Sequence, residues 1–114
     1  MEECLFCKII NREIKSDIVF ESDNILMFKD ISPEAPVHIL AVPKKHIASI
    51  LEIDKLDCEL IKELLEAISS TAQKLELDKE GFRIVTNTGS GAGQSVNHLH
   101  FHILGKRKFN WPPG

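Results

Sequence analysis

Apolar residues recur along this chain at two periods. Leu56, Leu60, Ile61, Leu64, Leu65, Ile68, Ala72 and Leu75 follow i, i+3, i+4 spacing. That spacing predicts an amphipathic helix from about Lys55 to Leu75, with Asp54 as its N-cap. Elsewhere the short apolar runs read as strands. Ile18 to Phe20 and Ile25 to Phe28 flank the polar cluster Glu21-Ser22-Asp23-Asn24 and read as a hairpin. Val37 to Val42 is a strand closed by Pro43, and Phe82 to Asn87 follows the turn at Glu80-Gly81. Leu5 to Ile10 is a short helix ending near Asn11, and the two prolines of Ser32-Pro33-Glu34-Ala35-Pro36 make that stretch a loop.

The period of two is sharpest in Asn97-His98-Leu99-His100-Phe101-His102-Ile103-Leu104. On a strand, Leu99, Phe101 and Ile103 face a core, and three imidazoles share the other face about 6.6 Å apart. All three can then act on one group the size of a phosphate. Several strands, one long helix and no βαβ repeat predict an α+β fold with an antiparallel sheet.

Composition changes this picture little. The 114 residues are 43% hydrophobic and 27% charged with a net charge of −3, so a single domain, 1–114, with a proper core is expected. Mild acidity argues against a broad nucleic-acid surface, and no apolar run reaches the roughly 20 residues of a membrane span. Met1-Glu2-Glu3-Cys4 does not read as a signal peptide, so a cytoplasmic location is expected, with cysteines as thiols or metal ligands.

Three chemistries remain open for the histidines. They are satisfied structural groups, ligands of a catalytic zinc, or nucleophilic and acid–base groups working on a phosphate. The preceding loop, Gly89-Ser90-Gly91-Ala92-Gly93-Gln94-Ser95, favours the last, because glycines let backbone amides approach an anion. It matches neither the P-loop nor the dinucleotide fingerprint. Cys4-x-x-Cys7 reads either as two reduced thiols or as half of a zinc site.

His98-Leu99-His100-Phe101-His102-Ile103-Leu104 resembles the motif of the histidine triad family, in its nucleotide-binding (HINT) branch. Further stretches are similar to that branch. They are Phe6-Cys7-Lys8-Ile9-Ile10, Asp30-Ile31-Ser32-Pro33, Ala35-Pro36-Val37-His38, Pro43-Lys44-Lys45-His46-Ile47, Gly93-Gln94-Ser95-Val96 and Trp111-Pro112-Pro113-Gly114. The resemblance implies a five-stranded antiparallel sheet with one long and one short helix, dimerising into a continuous ten-stranded sheet. It implies a purine nucleoside phosphoramidase that passes through a nucleotidyl-histidine at His100, supported by His38, His98, His102 and Ser95. Asn87, Gly93, Gln94, Ser95 and Val96 would hold the phosphate with His100 and His102, and Asp30 the ribose. Leu5, Phe6, Ile9, Phe28, Ile31 and Leu40 would line the base pocket. Catalysis would need no cofactor. A structural zinc would sit on Cys4, Cys7, His46 and His98.

The branch of nucleotidyltransferases carries glutamine at the position of His102, so this chain looks like a hydrolase. Asn97 departs from the aromatic residue of many relatives, and Lys29 places a charge beside the nucleoside pocket. Two rival readings are a dinucleoside polyphosphate hydrolase and a nucleotide-binding regulator with incidental catalysis.

Overall fold

A computed structural model describes residues 4–114. The elements run α1 (Leu5–Ile10), β1 (Ile18–Glu21), β2 (Ile25–Lys29), β3 (Val37–Pro43), a 3₁₀ segment (Ile50–Lys55), α2 (Cys58–Lys74), β4 (Phe82–Val85), a 3₁₀ turn (Ser90–Ala92) and β5 (Phe101–Gly105). The five strands form one antiparallel sheet in the order β1-β2-β3-β5-β4. The α+β architecture read from the sequence is the one observed.

Strand alternation sorts β2 and β3 onto two cores. Ile25 and Met27 join Ile39, Ala41 and Ile103 beneath α2, against its Leu64, Ala67, Ile68 and Ala72. On the other face Leu26, Phe28, Leu40 and Val42 pack against Phe6 and Ile9 of α1. Burial on both faces explains why these strands are almost wholly apolar. A third cluster, Ile47, Leu56 and Leu99, pins the chain just before β5. At the far end Gly105 lies so close to Leu77 that a Cβ there would stand 2.7 Å from its side chain.

Two boundaries and one exposed position differ from the periodic reading. Helix α2 starts at Cys58 with Asp57 as N-cap, whose carboxylate accepts the Leu60 N–H. Asp54 lies instead in the 3₁₀ segment, ended at Leu56, whose backbone is extended at φ −101° and ψ 138°. Leu65 belongs to the predicted stripe but is 49% exposed, because the buried seam runs through Leu64, Ala67, Ile68 and Thr71. Strand β4 ends at Val85, short of Asn87.

The largest difference concerns the histidines: β5 begins only at Phe101, so His98 and His100 lie outside the ladder. Other groups hold them in extended register. Leu99 N–H donates to Ile47 O at 2.8 Å, and the Thr86 hydroxyl donates to His100 O at 2.8 Å.

Candidate active site and metal-ligand cluster

Inward residues still alternate through this segment. Leu99 and Ile103 are 1% exposed in two different cores, while His98 and His100 are buried and His102 half-buried. The three imidazoles nonetheless do not act as one set. Each is assigned by its backbone and side-chain partners.

His98 turns toward the N-terminus. Its Nδ1 lies 3.4 Å from Cys4 Sγ, 3.7 Å from Cys7 Sγ and 3.1 Å from His46 Nδ1. His46 Nδ1 is 3.4 Å from Cys7 Sγ. The Nε2–H of His98 donates to Pro43 O at 2.8 Å, which leaves a lone pair on Nδ1. That is the second-sphere arrangement typical of a metal-bound histidine. Zinc with N and S ligands at about 2.0–2.3 Å requires N···N near 3.3 Å and S···N near 3.6 Å around a tetrahedron. The four donors therefore fit a zinc ion closely. Burial pushes His98 down to about 4, so it is neutral, as a ligand must be. Burial, with the neighbouring Cys4, raises the Cys7 thiol to about 11, a cost that a bound cation would reverse. Both nitrogens of His98 are thus engaged away from the catalytic role its position in the motif implies. Cys58 is exposed at the start of α2 and is not among these donors.

His100 and His102 have different partners. His100 Nδ1–H donates to His98 O at 2.7 Å, so Nε2 carries the free lone pair. His102 sits 5.0 Å from it, ring centre to ring centre. His102 lies opposite Leu40 on β3, and His38 lies diagonally next to it on the same face. The Glu34 N–H donates to His38 Nδ1 at 3.0 Å, which puts the His38 proton on Nε2. That Nε2–H donates to His102 Nδ1 at 2.9 Å, with Asp30 Oδ2 at 3.4 Å. His102 therefore carries its own proton on Nε2. Backbone groups at both ends fix a complete set of tautomers: an acceptor nitrogen on His100 and a donor N–H on His102.

Burial lowers His102 to about 4, helped by His100 and His38 and opposed by Asp30. The unfolded chain protonates this residue near pH 6.5. Between about pH 6.5 and 4 the unfolded state binds the extra proton, so stability falls as pH falls through that window. Denaturant midpoints at pH 7 and pH 5 check this: the native chain should lose more than His102→Gln. Equal losses would mean that His102 is not held neutral.

A cleft of about 270 Å³ lies on the far side of Phe6 and Asp30, which stand between it and the His100 and His38 rings and line its wall. Leu5, Phe6, Ile9, Phe28, Asp30, Ile31, Ser95 and Val96 line it together with Ile14, Lys15, Ser16 and Lys29, whereas Asn87, Gly93, Gln94, His100 and His102 do not. The Phe6 ring stands 4.9 Å from His100 and 5.5 Å from Phe28, edge to face in both cases. Ile31, 92% exposed, forms the rim. Leu40 packs beneath this wall, among Phe28, Val42 and Phe6, and does not line the cleft.

The glycine loop differs from the open amide nest that its composition suggests. Gly93 N–H donates to Ser90 O, Ala92 N–H and Gln94 N–H donate to Gly89 O, and Gly89 N–H donates to Gln94 Oε1. The Gln94 amide also donates to Ala48 O and Val96 O at 2.7 and 3.1 Å. Gln94 is thus a brace for the loop, and the glycines serve its curvature, with Gly89 and Gly93 at φ +86° and +91°. Ser95 and Val96 remain on the cleft. Asn87 lies across the loop, its Nδ2 3.9 Å from where a Cβ on Gly93 would stand. Sequence reasoning missed Glu34, Pro43 and Thr86, because their backbone or hydroxyl groups act in ways no motif reports.

These features can be set beside known proteins. Residues 3–111 match the family model described as scavenger mRNA decapping enzyme C-term binding. The chain is 49% identical over 113 residues to an uncharacterized HIT-like protein of Synechococcus elongatus, covering 99% of this chain and 98% of that one. It superposes on a HIT family hydrolase from Legionella pneumophila Philadelphia 1 with a TM-score of 0.94 at 49% identity, covering 98% of this chain and 100% of the other. A histidine triad nucleotide-binding protein from Candida albicans matches with a TM-score of 0.86 at 31% identity, over 98% of this chain and 85% of that one. With the motif, the sheet order and the full-length matches in agreement, this chain belongs to the histidine triad (HIT) superfamily.

Proposed function

We propose that this protein is a purine nucleoside phosphoramidase. In this reading the base lies between Phe28 and the aliphatic side chains of the cleft, Asp30 holds the ribose, and the phosphate sits by Ser95, Val96 and the His100–His102 pair. The single observation that carries it is the free Nε2 of His100, fixed by the Nδ1–H bond to His98 O and set beside the His102 N–H.

His100 Nε2 attacks phosphorus and the P–N bond breaks. The leaving nitrogen takes its proton through the His102 Nε2–H, directly or through Ser95, with water supplying a proton in turn so that His102 stays neutral. The hydroxide so formed attacks the nucleotidyl-histidine and releases the nucleoside monophosphate. Splitting one displacement into two keeps each barrier lower, and the imidazole N–H groups stabilise charge on the phosphoryl oxygens. Zinc on Cys4, Cys7, His46 and His98 would be structural, a closed four-ligand site with no position for substrate.

The same reading includes a homodimer, with each subunit adding its sheet to the other at β4, and a cytoplasmic location. Two features support the dimer. β4 is an edge strand, and its Ile84 is 46% exposed.

The reading is tested by offering adenosine 5′-phosphoramidate and diadenosine polyphosphate side by side, with a chelator present. Release of AMP from the phosphoramidate should be faster by about 100-fold or more in kcat/KM. Preference for the anhydride would overturn it in favour of a dinucleoside polyphosphate hydrolase.

A further inference from the structure

The lock on His38 has a second member beyond the triad. After β5 the chain turns at Lys106, a non-glycine residue at φ +70°. Left-handed backbone costs such a residue about 1 kcal/mol, so other contacts must hold the turn. Arg107 supplies them. Its Nε donates to Glu34 O at 2.9 Å and its Nη1 to Lys108 O at 3.0 Å. Its guanidinium lies 4.2 Å over the Phe109 ring, which Arg83 flanks at 5.1 Å while donating to Asn110 O at 2.9 Å. Glu34 therefore receives Arg107 at its carbonyl and gives its own N–H to His38 Nδ1.

We propose that Arg107 is a positioning residue for the reaction centre: by holding the Glu34 carbonyl it aims the Glu34 N–H at His38, and so fixes the protons of both His38 and His102 on Nε2. This rests on the reading of His102 as the proton donor.

The same lock governs what else can bind there. Asp30, His38 and His102 form a second group of ligand atoms close enough to share a cation. Two histidines and one carboxylate are a familiar set for divalent transition metals. A cation on His38 Nε2 would need the ring proton on Nδ1, where it would meet the Glu34 N–H donor head-on. The Cys4/Cys7/His46/His98 cluster has the reverse arrangement, with the His98 proton on the far nitrogen. One protein thus holds two clusters of donors, and tautomers direct metal to one and away from the other.

The test is a long-range ¹H–¹⁵N correlation spectrum of the full chain labelled at histidine, which reads each ring's tautomer directly. The native chain should show Nε2–H for His38 and His102. Arg107→Ala should show His38 in mixed tautomers, kcat down about tenfold and KM changed by less than about twofold. It should also acquire inhibition by added cobalt. Arg107→Lys, which keeps a charged donor, should recover part of the native spectrum. Phe109→Ala, which leaves the Arg107–Glu34 bond in place, should keep the native tautomers. Native tautomers in Arg107→Ala, a His38 Nδ1–H in the native chain, or an equal change in Phe109→Ala would each overturn the proposal. The spectrum needs no turnover, so it stands whether or not the protein cleaves phosphoramidates.

Discussion

Replacing His100 by alanine should abolish nucleotide release from adenosine 5′-phosphoramidate while leaving AMP binding almost intact. No neighbouring group can take over. His98 has Nε2 on Pro43 O and Nδ1 in the cysteine cluster. The Nδ1 of His102 accepts from His38, and its remaining nitrogen carries a proton. His38 presents an N–H rather than a lone pair. Loss of a covalent nucleophile with no substitute should lower kcat/KM by about 10⁴-fold or more, some 5.5 kcal/mol of transition-state stabilisation. The cleft is built by Leu5, Phe6, Ile9, Phe28 and Val96, which the substitution leaves in place. Affinity for AMP, read by calorimetry, should therefore change by only a few-fold. Single-turnover release of AMP in the presence of chelator measures the chemistry. A variant within tenfold of the native rate would show that His100 is not the nucleophile.

The second large effect concerns stability. Protein purified without added chelator should contain one zinc per chain by elemental analysis, and Cys7→Ser should lose it. Helix α1 has only six residues, and its N-cap Cys4 accepts the Cys7 N–H. A helix of that length has little stability of its own. Its attachment depends on Phe6 and Ile9 in the cleft wall and on the four donors that join it to His46 and His98. Without the cation, two thiols and two imidazoles are left packed together with no shared charge to stabilise them. The expected loss is about 2–4 kcal/mol, which at about 4–8 °C per kcal/mol for a domain near this size lowers Tm by about 8–30 °C. Because His98 O also holds His100, activity should fall in step with unfolding rather than at once on chelation. Equal melting temperatures with and without metal would overturn the structural role.

Much of this was legible in the sequence because it depends on local period. The apolar stripe of α2, the strands β2 and β3, and the alternation of Leu99, Phe101 and Ile103 with the histidines are all set by neighbours along the chain. The motif and its flanking stretches pointed to the superfamily. Boundaries such as the start of α2 slipped because several candidate caps precede it, and only packing of Leu56 with Ile47 and Leu99 decides where the helix begins.

Tertiary structure alone divided the labour among chemically identical side chains. His98, His100 and His102 are equivalent in sequence pattern, yet one meets Cys4, 94 residues away, another its neighbour's carbonyl, and the third His38, 64 residues away. An imidazole has two nitrogens and one proton, so its role follows from which partner claims which nitrogen. Those partners are backbone groups of Pro43, His98 and Glu34, which carry no side-chain signature. The sequence by itself determined the fold, the family and the presence of a histidine centre, since these follow from period and motif. Which ring nitrogen each histidine leaves free waited on long-range contacts, because hydrogen-bond direction is a property of atoms brought together in space.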